Sequence, residues 1–220
     1  MTLRVCLFRW LLANAVLAGI TFLCAGSLRL PTVRVYLLAF AAVGLVNILS
    51  VKSDLTKERS QPAAEGIDPA TRHGASTLFM ATVALGALDV GRFKGAFPFP
   101  TEIQSAALVV FIAANALQIW AMAVNVFYST ALRLQPERGQ HLVTNGPYRF
   151  VRHPGYLAML FIVPSTALIF GSNLALLPAS AYGALILSRA AREDSYLLKN
   201  LPGYADYVLG VRYRLIPGVW

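Results

Sequence analysis

The residues of this chain that can do chemistry are gathered in two short stretches. The first, GPYRFVRHPGY (146–156), sets two arginines, a histidine and two tyrosines between prolines and glycines. The second, RAAREDSYL (189–197), carries two more arginines, Glu193 and Asp194. His73, His141 and His153 share no metal-ligand spacing, and neither C-x-x-C nor H-E-x-x-H occurs, so no metal site is expected. There is no P-loop and no G-x-G-x-x-G after a strand, which removes the common nucleotide-binding routes. The pattern instead describes a place that holds a charged ligand among aromatic rings, arginines, a histidine and a carboxylate.

What must position these residues follows from composition. The 220 residues are 57% hydrophobic and only 13% charged, a share of charge well below that of an ordinary soluble domain. The net charge of +9 comes from cations spread over loops between apolar runs, with no basic helix face, so nucleic acid is not an expected partner. The expected fold is therefore all-α, a polytopic membrane helix bundle of five to six membrane segments. Spanning segments need about 20 apolar residues. The candidates are roughly Leu3–Leu28, Val33–Val51, Ser76–Val90 and Ser105–Leu132. Two shorter runs, Tyr156–Phe170 and Leu174–Ser188, flank Gly171-Ser172-Asn173 and read as a short helical hairpin. One structural unit is expected, with membrane helices over 1–132 and a cofactor-binding and catalytic region over 133–220.

The first run has no A-x-A-like cleavage site after its arginines and reads as an uncleaved membrane helix. Cys6 and Cys24 lie on it about 27 Å apart at 1.5 Å per residue, too far to pair. With six passes, fifteen Lys and Arg fall on one side of the membrane and four (29, 34, 92, 94) on the other. The positive-inside rule then places both termini in the cytoplasm, with loop 52–74 among the cytoplasmic segments.

The hairpin returns Arg189 to the side from which Tyr156 departs, so the two chemistry-bearing stretches meet at the cytoplasmic face. Arg189 and Glu193, four residues apart, share a helix face. On the fourth segment Asn115, Gln118, Met122, Asn125 and Ser129 form a stripe that either bonds neighbouring helices or lines a cavity. Asp89 and Arg92 read as an interfacial pair, and Glu58-Arg59-Ser60 as solvated charge.

HLVTNGPYRFVRHPGY (141–156), REDSYL (192–197) and GYADYVLGVRYRLIP (203–217) together resemble the isoprenylcysteine carboxyl methyltransferase family of integral membrane enzymes. That family is related to phospholipid methyltransferases and depends on S-adenosylmethionine, releasing S-adenosylhomocysteine. The resemblance implies cofactor contacts at Gln135, at Gln140, His141, Leu142 and Val143, at Tyr148, at His153, Pro154, Gly155 and Tyr156, and at Glu193. It implies acceptor contact at Arg189, which with Glu193 makes up the catalytic pair; Asn125 is placed on the acceptor side with Arg189. Chemistry adds that Arg152 and His153 can hold the cofactor's carboxylate, while Tyr148 and Tyr156 pack on its adenine or sulfonium. Two departures stand out. The family often has two glutamates where this chain has Glu193-Asp194, and the Gln135–His141 segment is shorter than in eukaryotic members.

The acceptor is expected to be lipophilic and to enter from the bilayer, with membrane lipids around the protein and no obligate protein partner. Carboxyl O-methylation needs no base, whereas lipid N-methylation would call on Glu193 or Asp194 to remove a proton. A membrane NADPH-dependent reductase of the sterol-reductase type, a small transporter and a structural membrane protein are the rival readings.

Overall fold

The structure is a computed structural model that describes residues 2–51, 69–94, 99–129, 131 and 133–220. Glu58-Arg59-Ser60 and most of loop 52–74 lie outside the described residues. The described residues form helices and no strands: α1 (Leu3–Ala25), α2 (Pro31–Ser50), α3 (Pro69–Leu88), α4 (Thr101–Val124), α5 (Pro154–Phe170), α6 (Leu176–Asn200) and α7 (Tyr204–Gly210). Among the described residues, four stretches are long and apolar enough to cross a membrane: Leu3–Ala25, Pro31–Ser50, His73–Phe93 and Thr101–Val124. Pro154–Phe170 is a shorter apolar helix. The expected polytopic bundle is thus observed.

Proline and glycine punctuate these helices where backbone chemistry favours them. Pro31, Pro69 and Pro154 open helices, where a missing N–H is no loss, and Gly26 and Gly171 close them in the left-handed conformation. Packing centres on two shared cores. Tyr36, Phe111 and Phe170 join α2, α4 and α5, with Tyr36 edge-on to both phenylalanines at 5.6 and 4.9 Å. Val163, Ala167, Ala179, Tyr182 and Ile186 join α5 to α6.

Three sequence expectations are revised. The second arm of the hairpin does not stop near Ser188: α6 runs for 25 residues, because RAAREDSYLLKN has strong helix formers and no breaker. One continuous helix therefore carries both apolar packing and the charged cluster. The polar stripe of the fourth segment does not persist as a stripe, since α4 ends at Val124. Asn115 donates to the carbonyl of Phe111 on its own helix, while Asn125 and Ser129 accept the N–H groups of Phe127 and Ala131 in local turns. Asp89 and Arg92, finally, serve different neighbours. Arg92 donates to the carbonyls of Leu23 and Cys24 at the end of α1, at 2.9 Å each. Asp89 accepts from the Ser172 hydroxyl at 2.5 Å in the turn that precedes α6.

Gly91 lies between these two attachments, and a Cβ there would sit 2.1 Å from the carbonyl oxygen of Ala25. Gly91→Ala must displace backbone, and it is expected to cost about 1–3 kcal/mol, as overpacking typically does. Gly19→Ala, with nothing within 4 Å of the new methyl, serves as the control and should be neutral or mildly stabilising. Thermal unfolding of the two variants in one detergent checks the contrast.

Candidate active site

The turn that opens the site is fixed by its own sequence. Gly146 takes φ +58°, and a Cβ there would press on Val124 at 2.8 Å, so glycine is required both for the turn and for the approach to α4. Pro147 then sets a short 3₁₀ turn over Gly146–Arg149. The turn buries Tyr148, whose hydroxyl accepts from Asn125 Nδ2 at 3.2 Å and whose carbonyl accepts from the Tyr207 hydroxyl at 2.6 Å. Burial pushes the Tyr148 phenol above its ordinary pKa, so it remains a neutral hydrogen-bonding ring.

Two residues later the chain pairs with its own tail. The N–H groups of Arg152 and His153 donate to the carbonyls of Tyr213 and Arg214 at 3.0 and 2.9 Å. The side chains turn inward onto Asp194, which is only 4% exposed. Arg152 grips the carboxylate bidentately, with Nε to Oδ1 at 2.8 Å and Nη2 to Oδ2 at 3.1 Å. His153 Nε2 lies 3.1 Å from Oδ1, the Tyr204 hydroxyl donates to Oδ1 at 2.7 Å, and Arg214 Nε donates to Oδ2 at 2.8 Å. Burial alone would raise the Asp194 pKa. The hydrogen bonds from His153, Arg152 and Tyr204 outweigh it and hold the carboxyl well below the usual carboxylate range.

Asp194 is therefore a structural anion and is not available as a base. Arg152, whose Nη1 also donates to the carbonyls of Val211 and Arg212 at 2.8 and 2.7 Å, is committed to this chain's own oxygens. The expectation that the Arg152 and His153 cations meet a ligand carboxylate is corrected accordingly, although both residues border the cavity described next.

Adjacent residues on a helix point about 100° apart. With Asp194 locked inward, Glu193 and Arg189 face a cavity of about 350 Å³. Arg189 Nε donates to the Tyr156 hydroxyl at 2.8 Å, and that hydroxyl donates in turn to Glu193 Oε2 in a short hydrogen bond. Tyr156 thus couples the two charged groups of α6 through a residue of α5. Gly155, beside it, admits the Tyr128 ring: a Cβ would lie 2.3 Å from the Tyr128 hydroxyl.

The cavity gathers most of the residues implied by the resemblance: Gln140, His141, Leu142, Val143, Tyr148, Gly155, Tyr156, Glu193, Arg189 and Asn125 all line it. Two do not. Gln135 is fully buried in the loop after α4, where its Nε2 donates to the Phe127 carbonyl at 2.8 Å and its Oε1 accepts from Arg138. Pro154 serves as the first residue of α5. Asn125 reaches the cavity, but its amide is used on Tyr148 and on the Phe127 N–H.

Sequence reasoning also missed wall residues, among them Tyr128, Tyr182, Tyr196 and Phe79. For Tyr182 a signal existed: 182, 186, 189 and 193 are spaced to share one helix face. Tyr204 and Tyr207 lay in the quoted tail motif, without a role until the fold packed α7 against Leu142. Among the described residues, no group of three His, Cys, Asp or Glu side chains is placed to hold a metal ion.

Residues 107–199 match the family model described as isoprenylcysteine carboxyl methyltransferase (ICMT) family. No curated protein matches the chain. The matched range runs from α4 through nearly all of α6 and supports an ICMT-like assignment; the tail motif at 203–217 lies beyond it.

Removing the buried anion leaves Arg152 facing no counter-charge, a change that typically costs about 3–5 kcal/mol. Asp194→Asn is expected to destabilise the protein by that order, and Arg214→Gln, at a partly exposed partner, by much less. Because the Asp194 pKa is depressed by folding, its contribution is fully present above the unfolded value near pH 4 and is lost as pH falls below it. Thermal melts of the wild type should therefore decline below about pH 4. Melts of Arg214→Gln should decline less steeply, because a cation that hydrogen-bonds the Asp194 carboxylate at 2.8 Å is gone.

Proposed function

We propose that this ICMT-like membrane protein moves a methyl group from S-adenosylmethionine to the carboxylate of a lipophilic acceptor. The observation that carries the reading is the Arg189–Tyr156–Glu193 bridge at the wall of a cavity that runs from polar to apolar surroundings. The match over residues 107–199 supports methyltransferase chemistry at that place.

The cavity wall fits the donor's chemistry. Glu193 offers a carboxylate to an ammonium or to ribose hydroxyls, and Tyr148 and Tyr156 offer ring faces to a flat base or a sulfonium. The 141–143 segment adds main-chain N–H and C=O groups that have no partner among the described residues. When bound, the donor supplies a methyl group on a sulfonium, whose departure leaves a neutral thioether.

The protein's share is then positioning. Arg189 presents a planar guanidinium that suits a carboxylate and aligns one oxygen for in-line attack. A carboxylate needs no base, so the absence of a proton acceptor at Asp194 costs nothing in this reading. Tyr156 holds Arg189 and Glu193 at a fixed separation, which keeps the acceptor and donor halves of the site in register. Apolar walls at Phe79, Met159 and Ile186 limit water. The excess of basic residues on one side supports a cytoplasmic face for this site, with both termini on that side.

Glu193→Ala is expected to weaken S-adenosylhomocysteine binding by about tenfold to a hundredfold, the scale of a hydrogen bond to a charged group. Arg189→Ala should leave that affinity near wild type and lower kcat by roughly a hundredfold or more. Calorimetry and a radiolabelled methyl-transfer assay on a total lipid extract read the two effects. Retention of both binding and transfer in both variants refutes the assignment. Preferential binding of NADPH over S-adenosylhomocysteine by the wild type would support a reductase instead.

A further inference from the structure

The cavity extends past Arg189 along the apolar residues that limit water and reaches Tyr182, which methyl transfer leaves without a task. Its wall follows α6 through Ile186 to Tyr182, at spacings of three and four residues that keep both on the face of Arg189 and Glu193. Phe79 of α3 and Met159 of α5 close the other sides, and both pack in the apolar core between these helices. A limb lined in this way suits a hydrocarbon chain.

Tyr182 breaks that pattern. Its side chain lines the cavity and the residue is 7% exposed, yet its hydroxyl has no hydrogen-bond partner among the described residues. Tyr128 and Arg189 are its electrostatic neighbours. A hydrocarbon chain that displaced water from this hydroxyl would leave it unpaired, which is costly, whereas a ligand oxygen within reach would remove that cost. The site would then discriminate against any ligand lacking the oxygen. Seven residues separate Tyr182 from Arg189, which places the hydroxyl about 10 Å farther along the helix at 1.5 Å per residue.

We propose that the acceptor is an oxygenated lipophilic acid, with its carboxylate at Arg189 and a hydroxyl, ether or carbonyl oxygen farther along its chain bonded to Tyr182. Tyr182 is then a specificity residue: it does not touch the reacting carboxylate, and it selects among acids by what their chains carry. This inference rests on the reading of Arg189 as the acceptor residue. It also accounts for a tyrosine at a wall position where phenylalanine would seal the limb equally well.

The test uses the purified full chain in detergent with S-adenosylhomocysteine bound. Octadecanoic acid competes against a series of octadecanoic acids that each carry one hydroxyl at a different position along the chain. At least one mid-chain isomer is expected to bind about tenfold more tightly than the parent acid, the scale of one satisfied hydrogen bond. Tyr182→Phe, nearly isosteric, should abolish that preference while leaving affinity for the parent acid and for S-adenosylhomocysteine unchanged within about twofold. Equal binding of all the acids by the wild type overturns the inference, as does a preference that survives Tyr182→Phe. If the wild type binds S-adenosylhomocysteine and methylates plain and hydroxylated acids alike, this inference alone falls. If it neither binds S-adenosylhomocysteine nor methylates any acid, the methyltransferase reading fails and takes the inference with it.

Discussion

A single buried carboxylate sets the geometry of this protein's polar end. Asp194 accepts hydrogen bonds from Arg152, His153, Tyr204 and Arg214, which come from the turn before α5, from α7 and from the tail. Apolar packing of Leu201, Tyr204 and Tyr207 holds α7 to the end of α6, and the carboxylate gives all of these segments a common polar centre. Its energetic logic is asymmetric. Assembling the cluster gains little net stability over apolar packing, whereas removing one partner leaves buried charge uncompensated. Such a cluster specifies position more than it adds stability. The position it specifies is the rotation of α6 about its own axis.

That rotation has consequences along the whole helix. With Asp194 turned into the protein, Glu193, Arg189, Ile186 and Tyr182 must line the neighbouring face and open onto the cavity. Tyr156 adds a second constraint from α5, since its hydroxyl accepts from Arg189 and donates to Glu193. The adjacent acidic pair is thereby divided by environment. One member is half-buried beside a ligand-sized space, and the other is enclosed by cations. A glutamate in place of Asp194 would change how far the anion reaches, so the partners gathered around it here are matched to the shorter side chain.

Much of this was legible in the sequence, and the failures have physical causes. Long apolar runs gave the spans, and the hairpin with its returning charges followed from Gly171-Ser172-Asn173. The end of α4 was misread because spacings of three and four continue through Asn125 and Ser129. A side chain that caps a turn has the same sequence periodicity as one on a helix face. Arg152 was read as ligand-facing because sequence reveals a cation's presence and not its partner: Asp194 lies 42 residues away and the Val211 carbonyl 59. Gln135 failed for a similar reason, since the loop folds back so that its amide meets the Phe127 carbonyl. Interactions between neighbours on one helix were readable. Those that required two loops to converge were not.

The course of α6 suggests why one helix carries so much of the site. Its first half is apolar and packs against α3 and α5, while its second half bears Arg189, Arg192, Glu193, Asp194 and Lys199. The proposed reaction between a water-soluble donor and a lipid-borne acceptor must occur where those two environments meet, because neither reactant is stable deep in the other's solvent. A helix that crosses this boundary offers each reactant a stretch of matching polarity on one face. The face must stay in rotational register for that to work, since a turn of about 100° would carry Arg189 and Glu193 out of the cavity together. The buried carboxylate and the Tyr156 bridge hold the register from two sides. The alignment that the proposed transfer demands is thus met by the same contacts that hold the turn, the tail and α6 together.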